Sequence, residues 1–578
     1  MVSEHEAVIT IETPEHVVFE YELAGLGSRI FAALIDLLLV VIIGFLLLMG
    51  AAILSLAGGE MQKLSMAVVI ISVFLLLWGY PIFFELWWKG QTPGKKIFRM
   101  RVIRDGGYTL TPSAVIVRNL LRVADFLPLG YALGLIVMMV SRKYKRIGDF
   151  VAGTLVIRDR PRVIVPERVE TKRLLLADED VVAELRRAGV HRLEPDEIHR
   201  IEELLRRRDE LAFEARMRLI GELARQMAER LGVRVRGAYR LLQNIVYAYR
   251  ESERATMGGY AAEALFVKRS RADWMRLETY AARLEGAGKA LSGPELFTFI
   301  SLYRKVAGDL ARARTLQMRN DLVDYLNQLV GKVHFRVYAT RPYPVRKLAE
   351  FYARILPATV RRMWRYVLAS AALLLVPAVA SFVAVAENPQ LGSSFAPPGY
   401  VEHIDEMFGS SFGKSNRSAG EGTVYTTFYI SNNVQVSFLA FALGIFLGAG
   451  SAFILVKNGM ILGGVAAVIQ QYGLSYNFWS FVSPHGGIEM GAIVLAGAAG
   501  MRIGLSLLNP GMLTRKAALV TAARDAGLVM FGVITMLVIA AFLEAWVSPS
   551  VLPNPLKLAL GGVNLLGVFA YFIFAGRR

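Results

Sequence analysis

Long apolar runs separated by short polar stretches occupy the beginning and the end of the chain. The first two runs cover about 30 to 56 and 65 to 87, with a short polar loop around Glu60 and Lys63 between them. Because an α-helix needs about 20 apolar residues to cross a bilayer core, these runs predict an antiparallel pair of membrane-spanning helices. Six further runs predict membrane segments near 366 to 386, 434 to 456, 459 to 473, 487 to 508, 526 to 547 and 556 to 576.

The run at 459 to 473 is shorter than a membrane helix requires. Its length corresponds to a rise of about 22 Å, against a bilayer core of about 30 Å, so we expect a short or broken segment. The loop at 387 to 433 is acidic overall, whereas Lys457, Arg515 and Arg524 lie in basic positions between apolar runs. By the positive-inside rule, we expect the acidic loop outside the membrane and both chain termini in the cytoplasm.

The apolar run at 126 to 140 has basic segments on both sides. Lysines and arginines are frequent in 88 to 125, and "SRKYKR" follows the run. Because both flanks favour the cytoplasmic side, we expect 113 to 141 to form a bent helical hairpin in or on the inner leaflet, with Pro128 at the bend. The alternative is that this segment crosses the membrane once, in disagreement with the positive-inside rule.

The regions outside the membrane segments predict a small β element and a helical domain. Alternating apolar and polar residues at 7 to 23 predict a β-hairpin, and "RVIRD" at 101 to 105 and "LVIRD" at 155 to 159 predict strands that pair with each other or with it. Residues 160 to 365 contain no apolar run long enough to cross a membrane and show helical periodicity, which predicts a cytoplasmic helical domain. The expected fold is an all-α polytopic membrane protein, with a membrane domain at 1 to 160, the helical domain at 161 to 365 and a second membrane domain at 366 to 578.

Composition agrees with a membrane protein and excludes several other classes. Apolar residues make up 54% of the 578 residues and cysteine is absent, which excludes disulfides and thiolate metal sites. The net charge of +18 is attributed to cytoplasmic loops rather than to nucleic-acid binding, because no aromatic-basic platform accompanies it. No strand precedes "GSSFG" and no metal-binding spacing joins the seven histidines. We therefore expect no enzyme activity, metal or cofactor.

Two family resemblances follow from particular motifs. The first 160 residues resemble the RDD membrane family in "RIFAALID", "GQTPGKKIFRMRVI", "RNLLRVAD" and "RIGDFVAGTLVI". From about residue 266 onward the chain resembles the stage II sporulation protein M family in "WMRLE", "LYRKVAGDLARAR", "KNGMILG", "PHGGIEMGAIVLAGAAGMRIG" and "AAFLEAW". The RDD resemblance implies an unassigned activity for which cation/proton transport has been suggested. The second resemblance implies a membrane organiser of cell-envelope enzymes, often encoded beside AAA+ ATPases.

Charged residues in the first membrane domain predict a buried network. Arg29 and Asp36 are seven residues apart and share a helix face, and a mid-membrane carboxylate needs a partner. The network would link the first span to the hairpin, either as an ion-pair staple or as a proton or cation pathway. Its predicted members are Arg29, Asp36, Arg118, Arg122, Asp125, Arg146 and Asp149, and the RDD resemblance assigns its second acid to Asp125 or Asp149.

A second polar set lies within the last membrane segments. His485 and Glu489 are four residues apart on one helix face, whereas Arg502 lies about 140° away from Glu489 and cannot pair with it. We expect a cluster in the outer half of the membrane that stabilises helix packing, binds an ion or small polar substrate, or receives a partner, and we expect Arg502 to extend towards the cytoplasm. The predicted intramembrane polar residues are Asn432, Asn433, His485, Glu489, Glu544 and Arg502.

The helical domain carries a third set of residues, which match the second family. They are expected to hold the helical bundle together or to bind a cytoplasmic partner, and Asp309 is three residues from Arg312 and could pair with it. The set comprises Trp274, Glu278, Tyr303, Arg304, Asp309, Arg312, Tyr325 and Asn327.

The sequence therefore favours a multi-pass protein of the cytoplasmic membrane of a prokaryote. Its expected role is a scaffold or organiser of a membrane or cell-envelope complex, and the alternative is a transporter or channel component for a cation, proton or small polar solute. Expected partners are the lipid bilayer, a second copy of the chain as a homo-oligomer such as a dimer, cell-envelope enzymes outside and an AAA+ ATPase inside. GxxxG pairs at 444/448, 487/491 and 500/504 allow close helix packing, either within one chain or between copies.

Overall fold

The protein is mainly helical, and eight of its helices are long and apolar enough to cross a membrane. These features come from a computed structural model. They confirm the predicted all-α polytopic membrane fold. The structure describes residues 8–12, 18–128, 130–158, 162–163, 179–207, 213–234, 237–256, 259–285, 292–316, 318, 320–337, 345–395 and 403–577.

The chain begins with a β-hairpin and a pair of long helices. Strands β1 (Val8–Glu12) and β2 (Val18–Glu22) pair antiparallel, as the alternating pattern predicts. Helices α1 (Leu26–Ser55) and α2 (Gly59–Trp87) then run in opposite directions and pack together. Many large apolar side chains of α1 are exposed, as expected for a helix that faces lipid.

Short helices and strands follow the first helix pair. In chain order they are α3 (Pro93–Ile97), β3 (Met100–Arg104), α4 (Pro112–Leu120), α5 (Arg122–Phe126), α6 (Ala132–Val140), α7 (Ile147–Ala152), β4 (Thr154–Arg158) and β5 (Arg162–Val163). Strands β3 and β4 pair antiparallel with Val102 opposite Val156, which confirms the pairing predicted from the repeated VIRD sequence. Strand β5 pairs with β2.

The segment 113 to 141 folds as the predicted hairpin. Helices α5 and α6 pack against each other, and Pro128 lies in a turn between them. Helix α6 has nine residues and rises only about 13 Å, so it cannot cross a bilayer core of about 30 Å alone.

A helical region with two separate cores follows. Its helices are α8 (Glu179–Arg187), α9 (Pro195–Arg207), α10 (Phe213–Leu231), α11 (Ala238–Thr256), α12 (Gly259–Glu285), α13 (Gly293–Thr315) and α14 (Asn320–Val337). Helices α8 to α11 bury one apolar cluster around Leu242. Helices α12 to α14 bury another, which includes Tyr21 and Ile157 from the strands and so joins the β element to this region. None of the candidate spans falls within these helices.

The last part of the chain forms the larger membrane bundle. Its elements are α15 (Val345–Glu350), α16 (Leu356–Arg362), α17 (Trp364–Glu387), α18 (Gly392–Phe395), α19 (Ile404–Phe408), α20 (Ala419–Ile445), α21 (Ala449–Gln471), α22 (Ser475–Leu508), α23 (Arg515–Val547) and α24 (Asn554–Phe574). Six of these helices are candidate spans.

The predicted division between the second and third of these six segments is wrong. Helix α20 begins at 419 rather than at 434, because Ser418 caps it by accepting a hydrogen bond from the backbone N–H of Glu421. The break comes at Gly448, which has a φ of +85° inside the apolar run. The run at 459 to 473 is thus the second half of the 23-residue helix α21, neither short nor broken, and the acidic loop ends at Ser418.

Glycines bring the central helices of this bundle into close contact. A Cβ atom placed on Gly504 would overlap the backbone of Gly444 and Gly448, and one placed on Gly500 would overlap the backbone oxygen of Ala440. The GxxxG pairs at 444/448 and 500/504 therefore pack against each other within one chain.

The two membrane domains are joined near both ends of helix α23. At its beginning α23 packs on α4 and α7, where Gly527 contacts Ser113 and Lys516 lies 3.1 Å from Asp105. Beyond its other end, α2 packs on α20, and the Lys63 ammonium lies 3.0 Å from a Glu421 carboxylate oxygen. We call the end of the bundle near Lys516 the domain end and the end near Lys63 the far end.

Candidate functional site

A cluster of one histidine and two glutamates lies between helices α22 and α23. His485 and Glu489 are one turn apart on α22, and α23 contributes Glu544. The His485 Nε2 atom is 3.9 Å from a carboxylate oxygen of Glu489 and 3.9 Å from one of Glu544. The structure thus brings together three residues that the sequence analysis proposed for one cluster. We call these three residues the triad.

Hydrogen bonds to neighbouring side chains orient the triad. The Nδ1 atom of His485 lies 3.0 Å from the Ser548 hydroxyl, a partner that the sequence analysis missed. Asn433 on α20 donates to Glu544 over 3.5 Å, and Asn432 in turn donates to the side-chain amide oxygen of Asn433 over 2.9 Å. When Nδ1 donates its proton to Ser548, the lone pair on Nε2 faces the two carboxylates.

The triad is almost completely buried. His485 is 4% exposed, and Glu489 and Glu544 are each 9% exposed. One ligand atom from each residue lies within 4.8 Å of the others. Among the described residues, no hydrogen-bond partner of the Glu489 carboxylate is observed, and His485 Nε2 lies 3.9 Å from it. Carboxylates in such a place require a positive charge or a proton, because burying an uncompensated charge is very unfavourable.

The triad lies level with the middle of helices α20 and α24, whereas Glu544 itself is the thirtieth of the 33 residues of α23. Asn433 is the fifteenth of the 27 residues of α20, and Asn564, which donates to the Pro484 carbonyl over 2.8 Å, is the eleventh of 21 in α24. The prediction placed Asn433 at a helix start because the polar first turns of α20 were assigned to a loop. Pro484 likewise lies inside α22 and does not begin it.

The chain segment before α20 returns towards the triad from the far end. Arg417 lies over the ring of Tyr425 at 3.7 Å and donates to the Ala545 carbonyl over 3.2 Å. This position lets Arg417 attract the Glu544 carboxylate. Lys557 is fully buried nearby and donates to the Ser550 carbonyl over 2.6 Å.

Arg502 is not part of the triad. Its guanidinium lies 2.6 Å from Asp525 on α23, and Arg362 contacts the other oxygen of the same carboxylate at 3.0 Å. Asp525 was missed by the sequence analysis because it follows the basic segment that marks the start of α23. The predicted separation of Arg502 from Glu489 is therefore observed, and Arg502 extends to the domain end.

A second buried polar cluster surrounds Asp149 in α7. One carboxylate oxygen lies 2.7 Å from the guanidinium of Arg29 and the other lies 2.9 Å from that of Arg118. Burial alone would raise the pKa of Asp149, but Arg29, Arg118 and Arg146 hold it well below its usual range. The first span and the helical hairpin are therefore linked by ion pairs, as predicted, with Asp149 rather than Asp36 as the partner of Arg29.

Glu85 extends this cluster into helix α2 and was missed by the sequence analysis. It forms ion pairs with Arg118 and Lys95 and accepts a hydrogen bond from Asn119 over 2.8 Å. Burial lowers the pKa of Lys95 to about 8, despite the attraction of Glu85. The buried charges thus tie α2, α3 and α4 together.

Comparison with protein families identifies both membrane domains. Residues 23–153 match the RDD family model, and residues 370–549 match the model of stage II sporulation protein M. The chain fuses an RDD domain to a stage II sporulation protein M domain. Residues 264–339 match a third model, a domain of unknown function (DUF8413). No curated protein and no solved structure matches the chain.

The matched ranges place the two clusters in different domains. The Asp149 cluster belongs to the RDD domain, and the triad belongs to the stage II sporulation protein M domain. The latter match begins at 370, whereas the sequence analysis placed the start of this resemblance near 266. The motifs between these positions instead fall largely within the domain of unknown function.

The remaining predicted residues of the RDD domain have local partners. Asp36 accepts hydrogen bonds from Tyr80 at 2.9 Å, Thr92 at 2.6 Å and the backbone N–H of Gly94 at 2.8 Å, so it anchors the start of α3. A further acid, Asp125, accepts from the backbone N–H of Ile147 over 3.1 Å and lies 3.7 Å from Arg146, and burial raises its pKa. Arg122 donates to the Tyr131 hydroxyl.

Some of the eight residues predicted to matter in the helical domain are buried within the domain of unknown function. Trp274 donates its indole N–H to Asp309 over 2.8 Å, so within the described residues the partner of Asp309 is Trp274 and not Arg312. Tyr325 is hydrogen bonded to Glu278, and burial raises the pKa of the Tyr325 hydroxyl to about 12. Tyr303 and Asn327 are buried, while Glu278, Arg304 and Arg312 are exposed.

Proposed function

We propose that this integral membrane protein is a scaffold that connects a cytoplasmic assembly with the outer surface of a prokaryotic cytoplasmic membrane. In this arrangement both chain termini and the helical domain are cytoplasmic, and 388 to 418 lies outside. The charge distribution supports the orientation, since basic residues concentrate at the domain end. These residues are Arg354, Arg361, Arg362, Arg365, Arg515, Lys516, Arg524 and Arg577.

The observation that carries the proposal is the way α23 joins the domains. Its first half packs on α4 and α7 of the RDD domain, and its last turns hold Glu544 and Trp546 against α20. A second connection closes the far end, where Lys63 bridges to Glu421 and Glu60 accepts from the backbone N–H of Gly420 over 2.7 Å. Because the RDD domain and the larger membrane bundle contact each other near both ends of the bundle, the two domains are expected to move as one rigid unit, as a scaffold requires.

The two exposed regions suggest where partners bind. We assign a cytoplasmic AAA+ ATPase to the surface of α12 to α14, where Arg304 and Arg312 are exposed, and cell-envelope enzymes to the acidic segment before α20. We further propose a homo-oligomer and assign the chain no catalytic step. The family resemblances supply these partner classes, and the exposed charges supply their positions.

Site-specific photo-crosslinking tests the scaffold at native expression. A photoreactive residue at Lys414, which is exposed at the far end, should capture one cell-envelope enzyme, and one at Arg304 should capture the ATPase in the same purified particle. Leu566 on α24, 69% exposed, is the control and should capture lipid or a second copy only. Adducts at Lys414 that contain lipid alone, or adducts at the two sites that never share a particle, would contradict the proposal.

Transport of a cation or proton is the second candidate function, and the triad favours it. Buried carboxylates within a membrane bundle commonly mark an ion path. Reconstituted vesicles should then show ion flux that falls in Glu489→Gln and Glu544→Gln but not in Glu421→Gln, whose carboxylate is 44% exposed at the far end. Equal flux in the three variants, or none in the wild type, would exclude this role for the triad.

A further inference from the structure

We propose that His485, Glu489 and Glu544 bind a divalent transition-metal ion inside the membrane bundle. The three side chains offer one imidazole nitrogen and two carboxylate oxygens, converging from α22 and α23. Imidazole and carboxylate are ligands of Zn²⁺, Mn²⁺ and Fe²⁺, whereas Mg²⁺ and Ca²⁺ favour sites made of oxygen alone. This proposal depends on neither the scaffold nor the transport function.

The distances fit an ion after a small movement of the side chains. A tetrahedral ion with bonds of about 2.1 Å holds its ligand atoms about 3.4 Å apart. The two distances from His485 Nε2 to the carboxylates are each 3.9 Å, and the distance between the two carboxylate oxygens is at most 4.8 Å. The distances from His485 must shorten by about 0.5 Å and the distance between the two carboxylates by at most about 1.4 Å, which rotation of the Glu489 and Glu544 side chains can supply.

Charge balance also favours a divalent cation. Two carboxylates carry two negative charges, and a neutral imidazole with one divalent ion makes the group neutral, which removes the unfavourable burial of charge. Within the described part of the chain, neither nearby cation forms an ion pair with the triad: Arg417, which attracts Glu544 from a distance, donates to the Ala545 carbonyl, and Lys557 donates to the Ser550 carbonyl. Arg502 is paired with Asp525 at the domain end.

The residues around the triad have the arrangement expected around a metal site. A metal-binding imidazole commonly donates its other N–H to a hydrogen-bond acceptor, which fixes the ring and its tautomer, and the Ser548 hydroxyl is placed to accept from Nδ1 at 3.0 Å. Asn433 holds the second oxygen of Glu544, leaving the first oxygen directed at His485. Three protein ligands leave at least one coordination position for water or another ligand.

Metal content of the purified full-length protein tests the proposal. After chelation and dialysis, the wild type is titrated with Zn²⁺, Mn²⁺ or Co²⁺, and bound metal is measured by mass spectrometry, with the visible absorption of Co²⁺ as a second readout. We expect one ion per chain, with binding lost in His485→Ala and in the isosteric Glu489→Gln and Glu544→Gln. His403→Ala is the control, because His403 and Glu406 form an exposed pair elsewhere.

A milder variant keeps the test informative if a ligand substitution prevents folding. Ser548→Ala leaves all three ligands in place and should weaken metal affinity by about 10- to 100-fold, the usual effect of removing such a supporting group. The wild type should also unfold at a higher temperature with the ion than without it, and Glu489→Gln should not. Metal binding that is absent in the wild type, or unchanged in both Glu489→Gln and Ser548→Ala, would overturn the proposal.

Discussion

The buried carboxylate of Asp149 offers a direct test of how the RDD domain is stabilised. Asp149 is 0% exposed, and the guanidinium groups of Arg29, Arg118 and Arg146 lie 2.7, 2.9 and 3.9 Å from its oxygens. Asp149→Asn keeps the shape of the side chain but removes the negative charge that contacts all three arginines. Breaking a buried pair in this way costs about 3–5 kcal/mol, since it leaves buried positive charge uncompensated.

The matched control is an exposed ion pair in the same chain. Lys63 and Glu421 are 36% and 44% exposed in their side chains, so Glu421→Gln should cost no more than about 1 kcal/mol. Thermal unfolding in detergent, followed by size exclusion or intrinsic fluorescence, compares the two variants with the wild type. Equal unfolding midpoints for Asp149→Asn and Glu421→Gln would refute the assignment of this cluster as a stabilising staple.

The pH dependence of the same comparison provides a second check. The folded-state pKa of Asp149 lies well below its usual range, while an unfolded aspartate titrates near about 3.9. The stabilisation is therefore complete above about pH 4 and is lost only as the pH falls towards the folded value. The difference between wild type and Asp149→Asn should be constant from about pH 5 to 8 and should shrink in stronger acid. A difference that disappears near neutral pH would contradict the assigned cause.

Three further predictions follow from single contacts. Gly504→Ala would push a methyl group into the backbone of α20 and should destabilise the protein by about 1–3 kcal/mol, whereas Gly562→Ala, which meets open space, should be near neutral in the same melting assay. Trp274→Phe keeps an aromatic side chain, though a smaller one, but removes the hydrogen bond to Asp309, and should cost about 1.5–3 kcal/mol in thermal unfolding. Burial lowers the folded pKa of Lys95 to about 8, below the unfolded value of about 10.4, so the unfolded chain binds more protons between these values. Wild-type stability should then rise relative to Lys95→Met as the pH increases from about 8 to 10, and a falling difference would refute this account.

Much of the fold was predictable because its signals are local. Apolar runs predicted the number of membrane segments, eight, and the alternating pattern and the repeated VIRD sequence predicted the strand pairs. Basic residues on both sides of the run at 126 to 140 predicted the helical hairpin. The boundary between α20 and α21 was not predictable from hydropathy, because Gly448 breaks the helix inside a continuous apolar run.

The partners within each polar cluster were harder to predict. His485 and Glu489 were joined correctly because four residues make one helical turn, and Glu544 was joined to them through the expected order of the helices. By contrast, Arg29 and Asp36 share a face yet bind separate partners, since Tyr80 of α2 and two groups at the start of α3 donate to Asp36. Glu85 was overlooked because it lies within an apolar run, and only the fold reveals that Arg118 reaches it.

The packing of α4 against α23 has a consequence for how the protein is made. Helix α4 is buried against a helix that emerges from the ribosome roughly 400 residues later, which at about 5–20 residues per second is a delay of about 20–80 s. During this interval the RDD domain lacks the surface that covers Ser113 and its neighbours. Burial of that face is therefore a late step of folding, which follows synthesis of α23.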